Sequence, residues 1–408
     1  MSIRTSRYAR CAGVLVVACL ASSPPDRVLA QIAHRPFAEI DKELKELRIA
    51  VVDMISAGTV KEPEFDRYFN LVLEQFVHPD QKPHIHKIRF DFIKKYLRSA
   101  GNASQSAAHE RLTAFFQQKM PELIADDRQP AYVRSNAMVV LYELNSVELK
   151  GQQPATPLPT VLPRLISAFN NVNYPVELRI LAQVGMLRHA EAGIGDQAQQ
   201  NAVQNAMLDM LATTDPPAGW DEDTLSWARL RASDILGTLR LPGSDRAPAA
   251  VVEGLSRVVA DSAAPLEVRS DAAQSLGQLN YQAAGGVNFS KLAELLASLE
   301  LDLAKEKWNS LAGLQQYFLY VDAALRGVDL GPREQPPAAP NSIQAWAATT
   351  PHKDYVDRLV VQFKDLRDTV INDKQNANAL AAAAGMVDTL EGWLKDNPPA
   401  AAEVIAAN

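Results

Sequence analysis

Four side chains that can bind metal ions lie within nine residues of one another: His78, Asp80, His84 and His86. Imidazole and carboxylate groups are suitable ligands for divalent transition metals. Their spacing is not helical, and two prolines among them indicate a loop, so the side chains could meet at one ion only if that loop were extended. A tight site also needs partners that orient each imidazole, and none is recognisable beyond Asp80. The sequence therefore favours an exposed turn, and we expect neither a metal nor another cofactor.

Motifs of common enzymes are absent from the sequence. It contains no Gly-x-Ser-x-Gly nucleophile turn, no His-Glu-x-x-His zinc motif, and no phosphate-binding loop after Gly285-Gly286. His109-Glu110 begins the zinc motif but lacks its second histidine, so we interpret it as a pair on a helix surface. Carboxylates are plentiful, but an acidic helical surface contains many accidental pairs, and glycoside hydrolysis needs a pair in a defined cleft. We expect a protein without catalytic residues.

Two tryptophans are candidates for contact with a ligand. Trp220 and Trp227 are seven residues apart, so two turns of a helix could align them. Tryptophan is also enriched among the residues that contribute most to protein interfaces. The alternative, which we favour, is that they fill space where the surrounding sequence departs from its repeat.

The N-terminal segment has the pattern of an export signal. Three arginines in the first ten residues precede an apolar stretch at 12–21, and Val28-Leu29-Ala30 is a suitable cleavage site before Gln31. We therefore expect a signal peptide at 1–30. Residues 16–19 also resemble a bacterial lipobox, in which case Cys19 would carry a lipid anchor. Both interpretations place the protein outside the cytoplasm, as a periplasmic or secreted protein, whereas a cytoplasmic protein fits the pattern less well.

Cleavage after Ala30 would change both the cysteine content and the charge. Cys11 and Cys19 are the only cysteines, so the mature chain would have no disulfide, no thiol nucleophile and no cysteine-bound zinc. Residues 1–30 carry four basic side chains and one acidic side chain, which takes the net charge from −7 to −10. Such an acidic chain is a poor ligand for nucleic acid. No further apolar segment is long enough to cross a membrane.

Four arginines recur in a common local sequence frame: Arg134, Arg179, Arg229 and Arg269. Each follows an Asp or Asn by eight residues, namely Asp126, Asn171, Asp221 and Asp261. An alanine stands three positions after each arginine and an apolar residue seven positions after it. The arginines are 45, 50 and 40 residues apart, and each interval contains two helical patterns. A period of this length predicts stacked helix pairs.

This frame resembles the HEAT repeat over about residues 105–280. The segments that carry the resemblance are 130–144, 175–187, 225–239 and 265–279. The resemblance implies an all-α fold, an α-solenoid of stacked antiparallel helix hairpins in a right-handed superhelical array. It also implies a ladder in which the turn acids pair with the arginines between neighbouring repeats. Asn171 replaces the acid in the second unit, and Leu225 replaces the turn proline of the third.

The remaining segments can be placed around these repeats. We expect N-terminal helices at 31–104 that form a divergent repeat or a cap, and a divergent helix hairpin at 281–330. A proline-rich loop is predicted at 331–351, a C-terminal helix pair at 352–396 and a disordered tail at 397–408. Residues 37–57 read as one amphipathic helix. No segment has the alternation of a β-strand.

Repeat arrays of this kind are mostly scaffolds and binding surfaces. We therefore expect a non-enzymatic exported protein that binds a protein or peptide partner on its solenoid surface. The alternatives are a structural envelope or assembly component without a discrete ligand, and a metal-dependent or accessory enzyme. Some HEAT-like proteins are bilin lyases, but that chemistry takes place inside the cell and the export signal argues against it.

Overall fold

The computed structural model describes residues 34–102, 106–327, 342–372 and 378–399. These residues are almost entirely helical, so the predicted all-α class is confirmed. The predicted signal peptide, Cys19 and most of the predicted tail lie outside the described residues. Within the described ranges, no helix is long and apolar enough to cross a membrane.

The chain divides into two compact units, Met1–Gly185 and Met186–Asn408. The α-helices of the first unit are α1 Phe37–Ala57, α2 Glu64–Val77, α3 Ile85–Phe90, α4 Arg98–Asn102, α5 Ala107–Ala125, α6 Ala131–Glu143 and α7 Leu162–Asn170. Short 3₁₀ turns precede α3 and α7, at Pro79–His84 and Pro159–Val161, and a π-helical segment, Asp91–Leu97, follows α3. Helix α8, Val176–Ala192, contains residues of both units.

Helix α1 has the bounds that its apolar spacing predicts. Ile40, Leu44 and Val51 are buried along one side, because positions three or four apart share a helix face. The helix ends at Gly58, whose φ of 68° is readily adopted by glycine. The core of this unit is aromatic. The Phe92 ring centroid lies 4.8 Å from that of Phe116, and both side chains are buried.

The first unit also contains two short strands, contrary to the prediction that the chain has none. Residues Asn145–Val147 (β1) pair antiparallel with Thr156–Pro157 (β2). The backbone N–H of Leu158 extends this pairing by donating a 2.9 Å hydrogen bond to the carbonyl of Leu144. Within the loop between the strands, Lys150 and Gln153 exchange backbone hydrogen bonds of 3.2 and 3.0 Å, which satisfies these backbone groups.

The second unit continues with helices that pack in pairs. They are α9 Gln197–Ala212, α10 Glu222–Leu239, α11 Ala250–Ala260, α12 Leu266–Gln278, α13 Phe289–Lys305 and α14 Leu311–Arg326. The first helices of the pairs, α9, α11 and α13, contact one another in succession, and so do the second helices, α10, α12 and α14. Each first helix also contacts its own second helix. These six helices therefore form two adjacent rows.

Glycines allow the second helices to approach closely. A Cβ atom added to Gly277 would lie 2.5 Å from Cα of Ala324 on α14, and one added to Gly237 would lie 2.7 Å from Oγ of Ser275 on α12. Ala272, which the sequence analysis places at a close helix contact, is fully buried. Small residues at these positions therefore bring three successive backbones together.

The last part of the chain is more helical than predicted. The segment 331–351 was expected to be a loop, yet Ile343–Ala347 forms α15. A local N-cap begins this helix, because the Ser342 hydroxyl accepts a 3.2 Å hydrogen bond from the Ala345 N–H. Residues 331–341 of that segment are outside the described residues. Helices α16 Lys353–Gln362, α17 Lys364–Arg367 and α18 Ala379–Asp396 follow, with a π-helical turn at Asp368–Asn372. Helix α13 contacts α15, α16 and α18.

Candidate functional site

Three of the four recurring arginines make the same hydrogen bond. In each, Nε donates to the carbonyl oxygen ten residues earlier: Arg134 to Ile124 (2.9 Å), Arg179 to Phe169 (2.8 Å) and Arg269 to Val259 (2.9 Å). Each acceptor lies in the last turn of the preceding helix, where carbonyls lack intrahelical partners and a positive charge is favourable. All three arginines are buried. These contacts stabilise the turn of each helix pair and leave little of the guanidinium for a ligand.

Two arginines also reach an acid in the following helix pair. Nη2 of Arg229 lies 3.6 Å from Asp261, and Nη2 of Arg269 lies 2.7 Å from Asp302 on α13. The HEAT resemblance implies the Arg229–Asp261 contact, in which an arginine pairs with the turn acid of the neighbouring unit. The arginine frame does not by itself identify Asp302. Its position 41 residues after Asp261 matches the repeat period, and this spacing could have identified it.

The turn residues Asp126, Asp221 and Asn171 contact groups of their own turns. Asp126 pairs with Arg128 at 2.7 Å, and Asp221 caps α10 by accepting a 2.8 Å hydrogen bond from the Thr224 N–H. Asn171 accepts a 3.0 Å hydrogen bond from the N–H two residues later. The side chains of Asp126 and Asp261 accept the same kind of bond. Asparagine can therefore replace the acid in the second unit, because this turn requires only an oxygen acceptor.

Arg229 departs from the common arrangement. Over the ranges that the structure describes, no group hydrogen-bonds to its buried Nε. The turn before α10 is long, so the carbonyl ten residues earlier belongs to Gly219, outside any helix. The acceptor that the other three arginines use is thus not available at the same position.

The histidine loop divides into one buried and two exposed side chains. His78 is buried, so the expectation of an exposed turn is wrong for this residue. Its Nδ1 accepts a 3.2 Å hydrogen bond from the Asp80 N–H, and its Nε2 lies 3.1 Å from the carbonyl oxygen of Arg35. Both ring nitrogens are therefore engaged. His84 and His86 are exposed. Among the residues that the structure describes, no group of three or more His, Cys, Asp or Glu side chains could hold a metal ion.

His109 is buried rather than on a helix surface, contrary to the sequence analysis. Its Nε2 lies 3.3 Å from Oε1 of Glu148, and Asn145 donates a 2.9 Å hydrogen bond to Oε2 of the same carboxylate. Glu148 directly follows β1. Because the sequence pattern shows no strand there, it does not predict that Glu148 lies next to His109. The pair joins α5 to the strand region and has the form of a structural contact, because all three side chains are buried.

The two candidate tryptophans do not share a helix face. Trp220 lies in the turn before Asp221, the N-cap residue of α10, whereas Trp227 lies within α10. The prediction that two helical turns could align them is therefore wrong. Trp227 is half-buried, and the guanidinium carbon of Arg231 lies 5.0 Å from its ring centroid. A cation in this position is attracted by the electrons of the ring face.

A pair of carboxyl groups lies next to this arginine. Nη1 of Arg231 lies 2.7 Å from Oδ2 of Asp234, which is also on α10. Asp234 also interacts electrostatically with Asp271 on α12. Burial raises the pKa of both aspartates, and their mutual repulsion raises that of Asp271 further. Asp234, Asp271 and the Arg231 guanidinium therefore form one cluster of interacting charges.

An aromatic side chain extends this surface to α14. Gly237 contacts Ser275 of the next second helix, and Gly277 contacts Ala324 of the one after it. By this stagger, Tyr320 is the α14 residue that corresponds in the repeat to Arg231 and Asp271. Tyr320 is half-buried, and its ring lies 6.4 Å from that of Tyr317. We call Trp227, Arg231, Asp234, Asp271 and Tyr320 together the second-helix face.

A second polar cluster is buried between α13, α14 and α17. Glu300 on α13 is fully buried, and within the described part of the chain no group hydrogen-bonds to either of its carboxyl oxygens. Asp322 accepts a 2.6 Å hydrogen bond from Nε of Arg326 and lies 3.5 Å from Nε of Arg367. Burial raises the pKa of Glu300 to about 8, with a further contribution from the negative charge of Asp322. Glu300 is therefore neutral at physiological pH.

Comparison of this chain with protein-family models, with curated proteins and with solved structures gives no match. The function must therefore be inferred from the chain itself. His109, Glu148 and Glu300 are buried. On the second-helix face, Trp227, Asp234 and Tyr320 are half-buried, whereas Arg231 and Asp271 are buried. Aromatic and arginine side chains are enriched at the centres of protein interfaces, so this face is suited to binding.

Proposed function

We propose that this protein is a non-enzymatic, exported α-solenoid that binds a protein or peptide partner through its second-helix face. The two rows of helices in the second unit support stacking of the HEAT kind, and the recurring arginine contacts support a repeated unit. The export part of the proposal depends on the N-terminal sequence pattern alone.

One observation carries the binding role. Trp227, Arg231 and Asp234 of α10 interact with one another or with Asp271 of α12, although Asp271 is far from them in the sequence. Tyr320 takes the corresponding position on α14, the next second helix. Packing does not require this composition, because an apolar face could stabilise the same helices. A face on which Trp227, Tyr320 and the carboxylate of Asp234 stay half-buried is suited to select a partner.

A direct test selects ligands from a random library of displayed peptides, with the full chain after cleavage as bait. We expect an enriched peptide family whose affinity falls at least about 10-fold with Trp227→Ala or Tyr320→Ala, since truncating a central interface residue typically costs more than 1 kcal/mol. Arg257→Ala is the matched control, because Arg257 is an exposed residue of the first helix α11. Its affinity should equal that of the wild type.

Two results would contradict the proposal. One is the absence of any enriched peptide. The other is an enriched family that binds the Trp227→Ala, Tyr320→Ala double variant as tightly as the wild type. Concentration-dependent self-association, measured by light scattering and abolished by surface substitutions, would instead favour the assembly role.

A further inference from the structure

The first unit contains a cavity of about 260 Å³, lined by residues of α2, the Pro79–His84 turn, α3 and the π-helical segment. A cavity of about 150 Å³ can hold benzene, so this one has room for a somewhat larger molecule. Val72 and Ile88 form apolar parts of its wall and are buried. The other lining side chains carry polar groups: Gln75, Gln81, His84, Lys87, Asp91 and Tyr96. An apolar wall with a few polar groups is typical of sites for small molecules.

The π-helical segment determines which side chains reach this cavity. Residues five apart in an α-helix lie roughly 140° from each other around the axis, and so on different faces. In a π-helix, hydrogen bonds between residues five apart put such residues nearly above one another. The Arg98 N–H accordingly donates to the Ile93 carbonyl. Asp91 and Tyr96 are five apart in this segment, and both line the cavity. Turns of this kind are rare and occur frequently at functional sites.

Packing fixes Tyr96 in the wall of the cavity. Its hydroxyl oxygen lies 2.9 Å from that of Tyr68, and its ring centroid lies 5.3 Å from that of Phe69. All three of these aromatic side chains are buried. This part of the wall is therefore formed before any ligand arrives, which lowers the entropy that binding costs.

The Gln81 side chain is an independent indication of a ligand. The residue is only 9% exposed, and it lines the cavity. Among the described residues, no group hydrogen-bonds to its side-chain amide. An amide that has lost most of its hydration without gaining a partner is costly. Its oxygen can accept, and its nitrogen can donate, hydrogen bonds to a molecule in the cavity.

Two opposite charges also line the cavity. Lys87 is exposed and Asp91 is half-buried, and the two residues are four positions apart. Within the described ranges, neither side chain forms an ion pair. An ammonium group binds a carboxylate through charge-assisted hydrogen bonds, and a carboxylate binds an ammonium group in the same way. The cavity therefore offers one partner for each sign of charge.

We propose that this cavity binds a free amino acid with an apolar side chain. Lys87 binds its carboxylate and Asp91 binds its ammonium group. The amide of Gln81 hydrogen-bonds to the bound molecule, whose side chain contacts Val72 and Ile88. Two opposite charges favour a zwitterion over a simple anion or cation. The site belongs to the first unit and does not involve the second-helix face, so this inference goes beyond the proposed function and does not rest on it.

Calorimetric titration of the full chain after cleavage tests this inference, with leucine, methionine and phenylalanine as probes. We expect at least one of them to bind with one-to-one stoichiometry. Its decarboxylated amine lacks the group that Lys87 binds, and its deaminated acid lacks the group that Asp91 binds. Each analogue should bind at least about 10-fold more weakly than the amino acid, because each loses a hydrogen bond between charged groups.

Variants of the two charged residues connect the binding to this cavity. Lys87→Gln should weaken binding of the amino acid at least about 10-fold and leave binding of the decarboxylated amine unchanged, because both changes remove the same contact. Asp91→Asn should likewise weaken binding of the amino acid and leave that of the deaminated acid unchanged. Melting temperatures establish that both variants are folded. Lys42→Gln is the matched control, since Lys42 is an exposed residue of α1, and it should bind as the wild type does.

Three results would overturn the inference. One is the absence of saturable binding for all three amino acids at millimolar concentration. Another is an amino acid that binds no more tightly than its two analogues. The third is binding that neither Lys87→Gln nor Asp91→Asn weakens. None of these results bears on the peptide selection at the second-helix face, so the failure of this inference and the failure of the proposed function are distinguishable.

Discussion

Arg269 donates a 2.9 Å hydrogen bond from its Nε to the carbonyl oxygen of Val259, at the end of the preceding helix. Nη2 of the same guanidinium lies 2.7 Å from Asp302 in the next helix pair. One buried cation therefore stabilises the turn of its own pair and links that pair to the following one.

Arg269→Ala should lower the free energy of unfolding by about 3 kcal/mol, because it leaves a buried carbonyl unpaired and removes the partner of Asp302. Urea unfolding measures the change. Arg257→Ala, at an exposed position, should alter stability by less than about 0.5 kcal/mol. An Arg269→Ala protein with unchanged stability but no partner binding would contradict the structural role.

Gly277→Ala should destabilise the protein although alanine favours helix formation. The new Cβ would lie 2.5 Å from backbone Cα of Ala324, and relieving this overlap should cost about 1–3 kcal/mol. Gly385→Ala in α18 is the matched control. Its Cβ would meet no atom within 4 Å, so it should raise stability by about 0.5–1 kcal/mol. Thermal melting that shifts both variants in the same direction would refute the close approach of α12 and α14.

Glu300 should make stability depend on pH. Its pKa is about 8 in the folded chain and its ordinary value is 4.5, so the folded state binds more protons between these values. The stability of the wild type should therefore fall as the pH rises through this window. Glu300→Gln removes this fall and should stabilise the protein by a few kcal/mol near pH 9, because each pKa unit corresponds to about 1.4 kcal/mol.

Denaturant unfolding at several pH values distinguishes the effect of Glu300→Gln on stability from the general effect of removing one negative charge. The exposed Glu222→Gln variant serves as the control and should follow the wild type. Parallel pH profiles for the wild type and Glu300→Gln would show that Glu300 ionises normally and would contradict the prediction.

The mature protein should begin at Gln31, or at a lipid-modified Cys19. N-terminal sequencing and intact mass of protein purified from an extracytoplasmic fraction distinguish the two forms. An intact Met1 on protein recovered from the cytoplasm would contradict both and would remove the export part of the proposed function.

Purified, untagged protein should carry no stoichiometric zinc, copper or nickel, and EDTA should not change its melting temperature. The reason is that both ring nitrogens of His78 are engaged by the chain itself. Elemental analysis tests this. One equivalent of metal that disappears in His84→Ala would refute it and would favour an enzyme.

Local patterns in the sequence were sufficient for most of the long helices. The apolar spacing of 37–57 predicts α1 with its bounds, and the frame around Arg134, Arg179, Arg229 and Arg269 predicts a common role, which all of them except Arg229 share. Both succeed because helix periodicity and turn chemistry act between residues less than about a dozen positions apart. The same reasoning failed for α15, where a single serine cap begins a helix within a proline-rich segment.

Only the tertiary structure decided which polar groups meet. Asp234 and Asp271 are 37 residues apart, and His109 and Glu148 are 39 apart, so no local pattern pairs them. Such contacts depend on the stagger between neighbouring helices, which small residues such as Gly237 and Gly277 allow. The sequence by itself therefore determined the helices and their repeated arginines. The packing decided the second-helix face and the buried Glu300, because burial and charge pairing arise only when distant segments come together.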